Sequence, residues 1–502
     1  MASFIPAKTG SSRVFIIEGR ARPDHKPAYQ SAMKASSPSQ SFGDIEKIEI
    51  PSSSEYGKFT EIGSIRGAVE RVSITLEGRY AADLKSDVLR MARAGCAIDI
   101  QINIGSCTNP SDYNTFTKKV IIESAFLTNW QADDLGALGS DEQAGVNESV
   151  DVSGRDIYEI VQLSWAEKAA SIVTNEVVDV ALCDTPSCGD CETESAGCSA
   201  FYAITLAAGG SPGTPADVVY TLDDGTTWYA DDINSLTGSP SAIACMGSYL
   251  VVVSEADGTI EYALKSALDG TTLGDDWTSV TTGFVGAGGP RDISVAPDNS
   301  IAFIVGTGGY IYSTQDPTSS VTVLDAGVLF PLGQFNAVHA FSEEFAVAVG
   351  AAAIIAKTEN GTTWSAVTTP LGVGVDFNTV LVRSKSVWLV GASDGNFYYT
   401  LDGGVTWTTG SFPGSGTGTV LDIVAAGETV VYMAHQTAAT LGRILRSSNG
   451  GYDWVVVPEG TGTLVANDKI NAIAACASNP DVAVGVGLAD NGSDGFIVLG
   501  SA

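Results

Sequence analysis

Tyr398-Tyr-Thr-Leu-Asp-Gly-Gly-Val-Thr-Trp407 decides how this chain is read. An alternating apolar strand runs into an Asp-Gly-Gly turn and leaves it through Thr-Trp. An Asp or Asn side chain at that point accepts backbone N–H groups inside the turn, and Gly takes the positive φ that a residue with a Cβ resists. The arrangement recurs downstream of about residue 200. Tyr220–Trp228, Ala356–Trp364 and Leu445–Trp454 are close copies, Lys265–Gly270 reaches Trp277 after an insertion, and Ile311–Pro317 has no Trp. Trp364, Trp407 and Trp454 lie 43 and 47 residues apart. A period of that length marks a repeat architecture in which each unit is one small sheet. The residues expected to hold these turns are Asp223, Gly225 and Trp228; Asp269 and Trp277; Asn360, Gly361 and Trp364; Asp402, Gly403 and Trp407; and Asn449, Gly450 and Trp454.

Each repeat reads as strand, strand, turn hairpin, strand. Matching openings stand at Arg291–Val295, Phe335–His339, Phe377–Val382, Val420–Val424 and Ile470–Ala475. The last repeat ends at Gly495–Gly500 without a fourth strand, and the first starts late, at Phe201–Leu206. A trailing repeat short of its outer strand and a leading one short of its inner strand suit circular closure, which removes exposed sheet edges. The expectation for 199–502 is a β-propeller, with seven blades preferred and six as the alternative.

The turn resembles the Asp-box (Ser-x-Asp-x-Gly-x-Thr-Trp) of β-propeller proteins such as sialidases and photosystem assembly factors. In that group the box marks the fold and is not catalytic. Sialidase chemistry needs an arginine cluster for the substrate carboxylate, and residues 183–502 hold only Arg291, Arg383, Arg443 and Arg446, the last within a box hairpin on the rim. No carboxylate pair stands out by spacing, and His339, on an inner strand, and His435, in a loop, read as structural. No catalytic residue is assigned, and the protein is expected not to be an enzyme.

Charge is uneven. Of the formal net −32, residues 183–502 carry 8 Lys and Arg against 33 Asp and Glu, whereas 1–182 carry 18 against 25. So acidic a second half repels nucleic acid and anionic lipid and keeps neighbouring copies apart. No secretion signal and no apolar run of membrane-spanning length occurs, so no membrane anchor is expected.

Residues 1–182 read differently. Ser12–Gly19 opens as a strand, 21–60 form a polar, Pro- and Ser-rich arm with one short strand at Ile45–Ile50, and Glu70–Gly78 alternates at period 2. Ala81–Arg93 has the apolar spacing of a single helix, ended by Gly95, and Ala97–Ile104 places four Ile on one strand face. Val120–Trp130 is a further strand. The acidic, Gly-rich loop 131–145 and paired strands at 148–153 and 157–164 follow.

Four of the eight cysteines, Cys183, Cys188, Cys191 and Cys198, crowd into a junction, 183–198. Thiolates at that spacing suit two disulfides, a zinc site or free thiols, and the three readings stay open. Either link would stiffen the junction. Cys245 and Cys476 occupy matching core strands.

In element order, residues 1–182 resemble the phage tail-tube family, a β-barrel or sandwich with one packed helix, a long arm and a long loop. The resemblance implies a mainly β structural virion protein: hexameric rings stacked into a tail tube, the propeller displayed outside. It implies self-assembly, contacts with other tail proteins, DNA only as passing cargo, weak host-surface contact by the propeller, and a place in the virion tail after assembly in the host cytoplasm. No cofactor is expected beyond zinc at the cysteine-rich junction. The alternative is a propeller binding or scaffold protein recognising a protein or glycan partner; a sialidase-like glycan-processing enzyme comes third.

Overall fold

The computed structural model divides the chain into two compact units, Met1–Gln162 and Leu163–Ala502. The described residues are the strands between 12 and 168 and, from 173 onward, all but short stretches, the longest being 184–199, 207–215, 269–276, 282–288 and 458–467.

The first unit is built from strands. One sheet runs Tyr29–Ser31, Ser12–Glu18, Ile98–Ile104, Lys118–Ala132, Asn147–Gly154, Val72–Arg79 and Lys34–Ala35, with Asp156–Val161 added on Lys118–Ala132. Lys118–Ala132 is 15 residues long. Its first half pairs with Ile98–Ile104 and Asp156–Val161, its second half with Asn147–Gly154. The alternating Ile stretch is therefore a strand, as its period demands. Within the polar arm, Ile45–Pro51 pairs with Phe59–Arg66 to make a hairpin where a lone strand was expected. The expected helix at 81–93 and nearly all of the loop at 131–145 lie outside the described residues. The described strands make this unit mainly β and carry no more of the tail-tube expectation than that.

The second unit is a seven-bladed β-propeller of antiparallel four-stranded sheets. Blades 1 to 6 begin with the inner strands Val177–Cys183, Pro240–Met246, Pro290–Val295, Phe335–Ala340, Phe377–Val382 and Thr419–Ala426. Blade 7 takes Lys469–Ala475, Val482–Leu488 and Gly495–Ser501 from the end of the chain and Ser164–Lys168 as its outermost strand. The missing outer strand is thus supplied from far upstream, with Trp165 in register with Gly500. The leading blade is complete as well, its inner strand being Val177–Cys183. This corrects the boundaries read from composition. The propeller unit starts at Leu163 rather than 199, and the cysteine-rich stretch is an insertion between the first two strands of blade 1 rather than an inter-domain junction. A polar, cysteine-rich run of that length reads as a boundary because nothing local shows that the strands on either side of it pair.

Burial explains the strand sequences. Blades pack face to face, so a second strand is covered on both sides and reads as a continuous apolar run rather than an alternation. Leu250–Val253 and Ala346–Val349 are wholly buried. Seven apolar clusters fill the seven gaps between neighbouring blades. The one between blades 7 and 1, with Val177, Phe201, Val484 and Ile497, is built like the others. Among the described residues no helix is long and apolar enough to cross a membrane.

One turn carries visible backbone strain. Between the second and third strands of blade 4, Ala352 and Ala353 have φ of 56° and 57°, where blade 3 has Gly308 and Gly309 at 71° and 74°. A left-handed alanine costs about 1 kcal/mol or more, and the extra chain entropy of glycine offsets part of any gain. Ala352→Gly with Ala353→Gly is expected to raise stability by roughly 1 kcal/mol in total, read as a higher denaturant midpoint. A lower midpoint would show that the turn is not strained.

Candidate functional site

The turn hairpins come first, because the sequence singled them out. Thr400 Oγ1 donates to Asp402 Oδ1 (2.8 Å), which accepts from the N–H groups of Val405 (3.1 Å) and Thr406 (2.8 Å), while Thr406 Oγ1 donates to Asp402 Oδ2 (2.6 Å). The Thr406 hydroxyl and amide hold the Asp402 carboxyl low, at about 2. Gly403 and Gly404 have φ of 72° and 92°, and Trp407 Nε1 donates to Gly404 O (3.2 Å). Asp223 makes the same cap with Thr221 and Thr227, beside Gly225 (φ 76°) and Trp228. Asn360 accepts from Thr362 and Thr363 N–H next to Gly361 (φ 72°). In blade 6 Gly450 has φ 79° and Trp454 Nε1 donates to Gly451 O (3.0 Å). The indoles of Trp277 and Trp364 are buried without a partner for Nε1. Asp269 and Asn449 lie outside the described residues. Asp223, Trp228, Asn360, Asp402, Trp407 and Trp454 each bond within their own hairpin, and none of the described turn residues lines the propeller channel.

Cys183 does not pair within its cluster. It forms a disulfide with Cys245, from the inner strand of blade 1 to that of blade 2. That bond uses the Cys183 thiolate and rules out a four-cysteine zinc site containing it. Cys188, Cys191 and Cys198 lie outside the described residues. Cys476 is disulfide-bonded too, so neither Cys245 nor Cys476 is simply core filling. His435 sits in the second strand of blade 6, not in a loop. It is fully buried, packs edge-on against Phe412 and bonds Thr417 O (2.9 Å). Arg446 is buried against the Tyr432 ring rather than exposed at the rim.

What converges is the wall of the central channel, a cavity of about 400 Å³ lined by all seven inner strands. Every inner strand has a register shift near its start, between positions such as Val177/Asp179, Pro290/Asp292 and Val420/Asp422. A bulge of this kind re-aims two consecutive side chains. The first of the pair ties its blade to a neighbour. Ser241 Oγ donates to Pro290 O (2.9 Å), Asn336 Nδ2 to Phe377 O (2.8 Å), Asn378 Nδ2 to Val420 O (2.9 Å) and Asn471 Nδ2 to Val177 O (2.8 Å), the last bond closing the ring. At this position in blade 3, Arg291 bridges Glu255 (2.7 Å) and Asn336 (2.9 Å).

The second residue of the pair is Asp179, Asp292 or Asp422 in blades 1, 3 and 6. Asp179 accepts from Val180 N–H (2.8 Å) and, across the gap, from Ile243 N–H (2.9 Å). Asp292 accepts from Ile293 (2.8 Å) and Val338 (2.7 Å), and Asp422 from Ile423 (2.8 Å) and Ile473 (2.9 Å). In blade 5, Thr379 Oγ1 takes the neighbouring N–H of Ile423 instead (3.2 Å). Burial raises all three carboxyls, against the pull of their N–H donors. Asp179 is pushed up to about 7, with Asp422 adding repulsion, and Asp292 goes well above the carboxylate range, with repulsion from both others. His339 lines the same channel, and burial followed by Arg383 lowers it to about 4, so it is neutral near pH 7.

The sequence contained a signal for this site. The Asn-Ala-Val, Asp-Ile-Ser and Asp-Ile-Val columns of the aligned repeat openings place polar residues at two consecutive registers, Asn336 at the first and Asp292 and Asp422 at the second. Among 33 acids, however, only the bulge makes those registers face inward.

A raised carboxyl retains its proton when folded at a pH where the unfolded chain has lost it. Its stabilisation is therefore present below about pH 4 and is lost as pH rises through the folded value, near 7 for Asp179. The propeller is expected to lose stability between about pH 4 and 7, by about 2 kcal/mol for Asp179 once channel water is allowed for. Asp179→Thr keeps an acceptor for Ile243 N–H, as Thr379 does for Ile423, and should flatten that slope in unfolding curves recorded across the range. An unchanged slope would exclude Asp179 as its source.

No protein-family model matches this chain, and no curated protein matches it. Among solved structures it is similar to YCF48 bound to D1 peptide, at 14% identity and a TM-score of 0.49 over 68% of this chain and 96% of that one. YCF48 from Cyanidioschyzon merolae gives 15% identity and a TM-score of 0.47 over 67% and 98%. The WD40 repeats of RRP9 give 10% identity and a TM-score of 0.48 over 67% and 97%. These likenesses concern the fold alone.

Proposed function

We propose that this protein is a non-catalytic binding scaffold whose propeller receives a protein partner at the mouth of its channel. The observation that supports the reading is the mouth itself. Arg291 and the asparagines of blades 4, 5 and 7 form a polar ring held in place by inter-blade bonds. The connection from Ala326 to Phe335, which leads from the outermost strand of blade 3 to the inner strand of blade 4, exposes Val328 (77%) and Pro331. Fixed polar groups, an arginine among them, and an exposed apolar stretch on a connection leading to them have the make-up of a protein-recognition surface. The channel carboxylates, in contrast, are bound to backbone N–H groups of two blades each, which suits holding a shape better than moving protons. Nothing among the described residues favours tube assembly or glycan processing over this reading.

The test is cross-linking of the whole chain in its native extract, with the bound proteins identified. Val328→Asp and Arg291→Glu are expected to abolish capture of the partner by at least roughly tenfold, as loss of a central anchor does. Val405→Asp, on the exposed turn of a box hairpin (79%), should leave it unchanged. Capture indifferent to both mouth substitutions would overturn the proposal. So would glycoside turnover abolished by replacing a channel aspartate.

A further inference from the structure

We propose that the loop joining blade 5 to blade 6 forms, together with Arg443, a binding site for one carboxylate group. The argument starts from a cation without an anion. Residues 183–502 hold 33 acidic side chains against 8 basic ones, so acceptors for a positive charge are plentiful there. Arg291 is bridged to Glu255, and Lys357 and Lys469 stand beside Glu359 and Glu176. Arg383 reaches Gly427 O, and Arg446 is buried against the Tyr432 ring. Arg443 lies on the third strand of blade 6, Gly442–Ser447, and is half-buried. Among the described residues no acceptor bonds to its guanidinium, which offers five N–H donors. A cation left unpaired in so acidic a domain breaks a local rule, and such breaks concentrate at functional sites.

The loop beside it, Pro413-Gly-Ser-Gly-Thr-Gly418, is held in a fixed shape. Ser415 N–H donates to Phe412 O (3.0 Å) and Gly416 N–H to Gly395 O of blade 5 (2.8 Å). His435, directly opposite Arg443 in the ladder, donates from Nε2 to Thr417 O (2.9 Å). Burial first, and the Arg443 charge as well, lower His435 against the pull of Thr417 O, so the ring is neutral near pH 7. Gly414, Gly416 and Gly418 have φ of 98°, 81° and 81°, while Ser415 and Thr417 between them keep negative φ. That alternation of hand is the one from which backbone nests for anions are made. Among the described residues the N–H groups of Gly414 and Thr417 have no acceptor. Loop and arginine meet at Gly414. A Cβ there would stand 3.3 Å from Arg443 Nη1 and 3.8 Å from His435 Cε1, with nothing else within 4 Å beyond its chain neighbours. Glycine therefore leaves the guanidinium uncovered. A planar fork of N–H donors matches the two oxygens of a carboxylate. A phosphate dianion fits less well, because the acidic domain repels its second charge.

The experiment is calorimetric titration of the whole chain with benzoate, with benzamide as the uncharged control and phenyl phosphate as the dianion. Benzoate is expected to bind saturably in the millimolar range, benzamide not, and phenyl phosphate more weakly than benzoate. Arg443→Gln should weaken benzoate binding by at least roughly tenfold, the loss expected for a charge-assisted pair, while the circular dichroism of the propeller is retained. Arg443→Lys, which keeps the charge but not the fork, should recover only part of that loss. Lys357→Gln, which removes a positive charge already paired with Glu359, should change nothing. Two acetylated peptides separate the sources of the carboxylate, one ending in a free carboxylate, the other amidated with an internal glutamate. The one that binds at least roughly tenfold more tightly than benzoate identifies a partner's chain end or its side chain, and equal binding by all identifies a free small acid. Each of these supports the site. Absence of saturable benzoate binding, phenyl phosphate bound as tightly as benzoate, or binding unchanged in Arg443→Gln overturns it. None of these results bears on the cross-linking of Val328→Asp and Arg291→Glu, whose residues this site does not use.

Discussion

Replacing Trp165 by alanine is expected to open the propeller at its closing blade, at a cost of roughly 3–5 kcal/mol. Trp165 stands on the outermost strand of blade 7, is 3% exposed and meets Tyr432 of blade 6 edge-on, with ring centroids 6.3 Å apart. Directly opposite in the ladder is Gly500, where an added Cβ would lie 2.6 Å from the indole Cε2, so the ring occupies the space a side chain would need. Ser164–Lys168 is the one strand that ties the start of the propeller to its end. Its loss exposes the edge of Gly495–Ser501 as well as the apolar cluster between blades 6 and 7. Chemical denaturation of the whole chain measures the effect. Trp165→Phe should recover part of it, because a ring still fills the site. A loss under about 1 kcal/mol would mean that closure depends on the C-terminal strands alone.

The second large effect is expected from removing the disulfide between blades 1 and 2. Cys183 and Cys245 are 62 residues apart, and closing a loop of that length in the unfolded chain accounts for about 4 kcal/mol in the chain-entropy description. Cys183→Ser with Cys245→Ser should therefore lower stability by about that amount. Cys183 is buried at 3% exposure inside the cluster with Tyr202, Val252 and Trp277, so a serine hydroxyl there adds a desolvation cost. Cys183→Ala with Cys245→Ala separates the two contributions. It removes the link without burying a hydroxyl, and it should recover only the smaller part of the loss. A drop under 1 kcal/mol for the alanine pair would show that the bond adds little to a ring already closed by its strands.

These predictions concern contacts of different reach, and reach separates what the residues disclose directly from what they do not. The Asp402 cap joins groups at most four positions apart. Turn chemistry over so short a span is written in consecutive letters, so the turn hairpins, the repeat they mark and the mainly β character of the second unit were all legible. The count of seven followed from the repeat openings once the trailing repeat was seen to lack its outer strand. The strand that fills that gap was not legible, because Ser164–Lys168 lies more than three hundred residues from its partner and resembles any other short strand. The inner strand of blade 1 was hidden by an insertion whose cysteines and charge looked like a boundary.

The channel shows the same division at the level of single side chains. Asp179 reaches Ile243 across 64 positions, Asp292 reaches Val338 across 46 and Asp422 reaches Ile473 across 51. Nothing near Asp292 in the chain distinguishes it from the other acids. Its environment is made by a bulge and by the blade beside it. By itself the sequence determined the hairpins, the repeat and the acidic balance, because each is a property of neighbouring residues or of composition. Only the tertiary structure decided where the ring closes, which cysteines pair and which carboxylates face inward. Those outcomes depend on strands brought side by side by burying apolar faces between blades, a force that specifies no partner until the whole ring is in place.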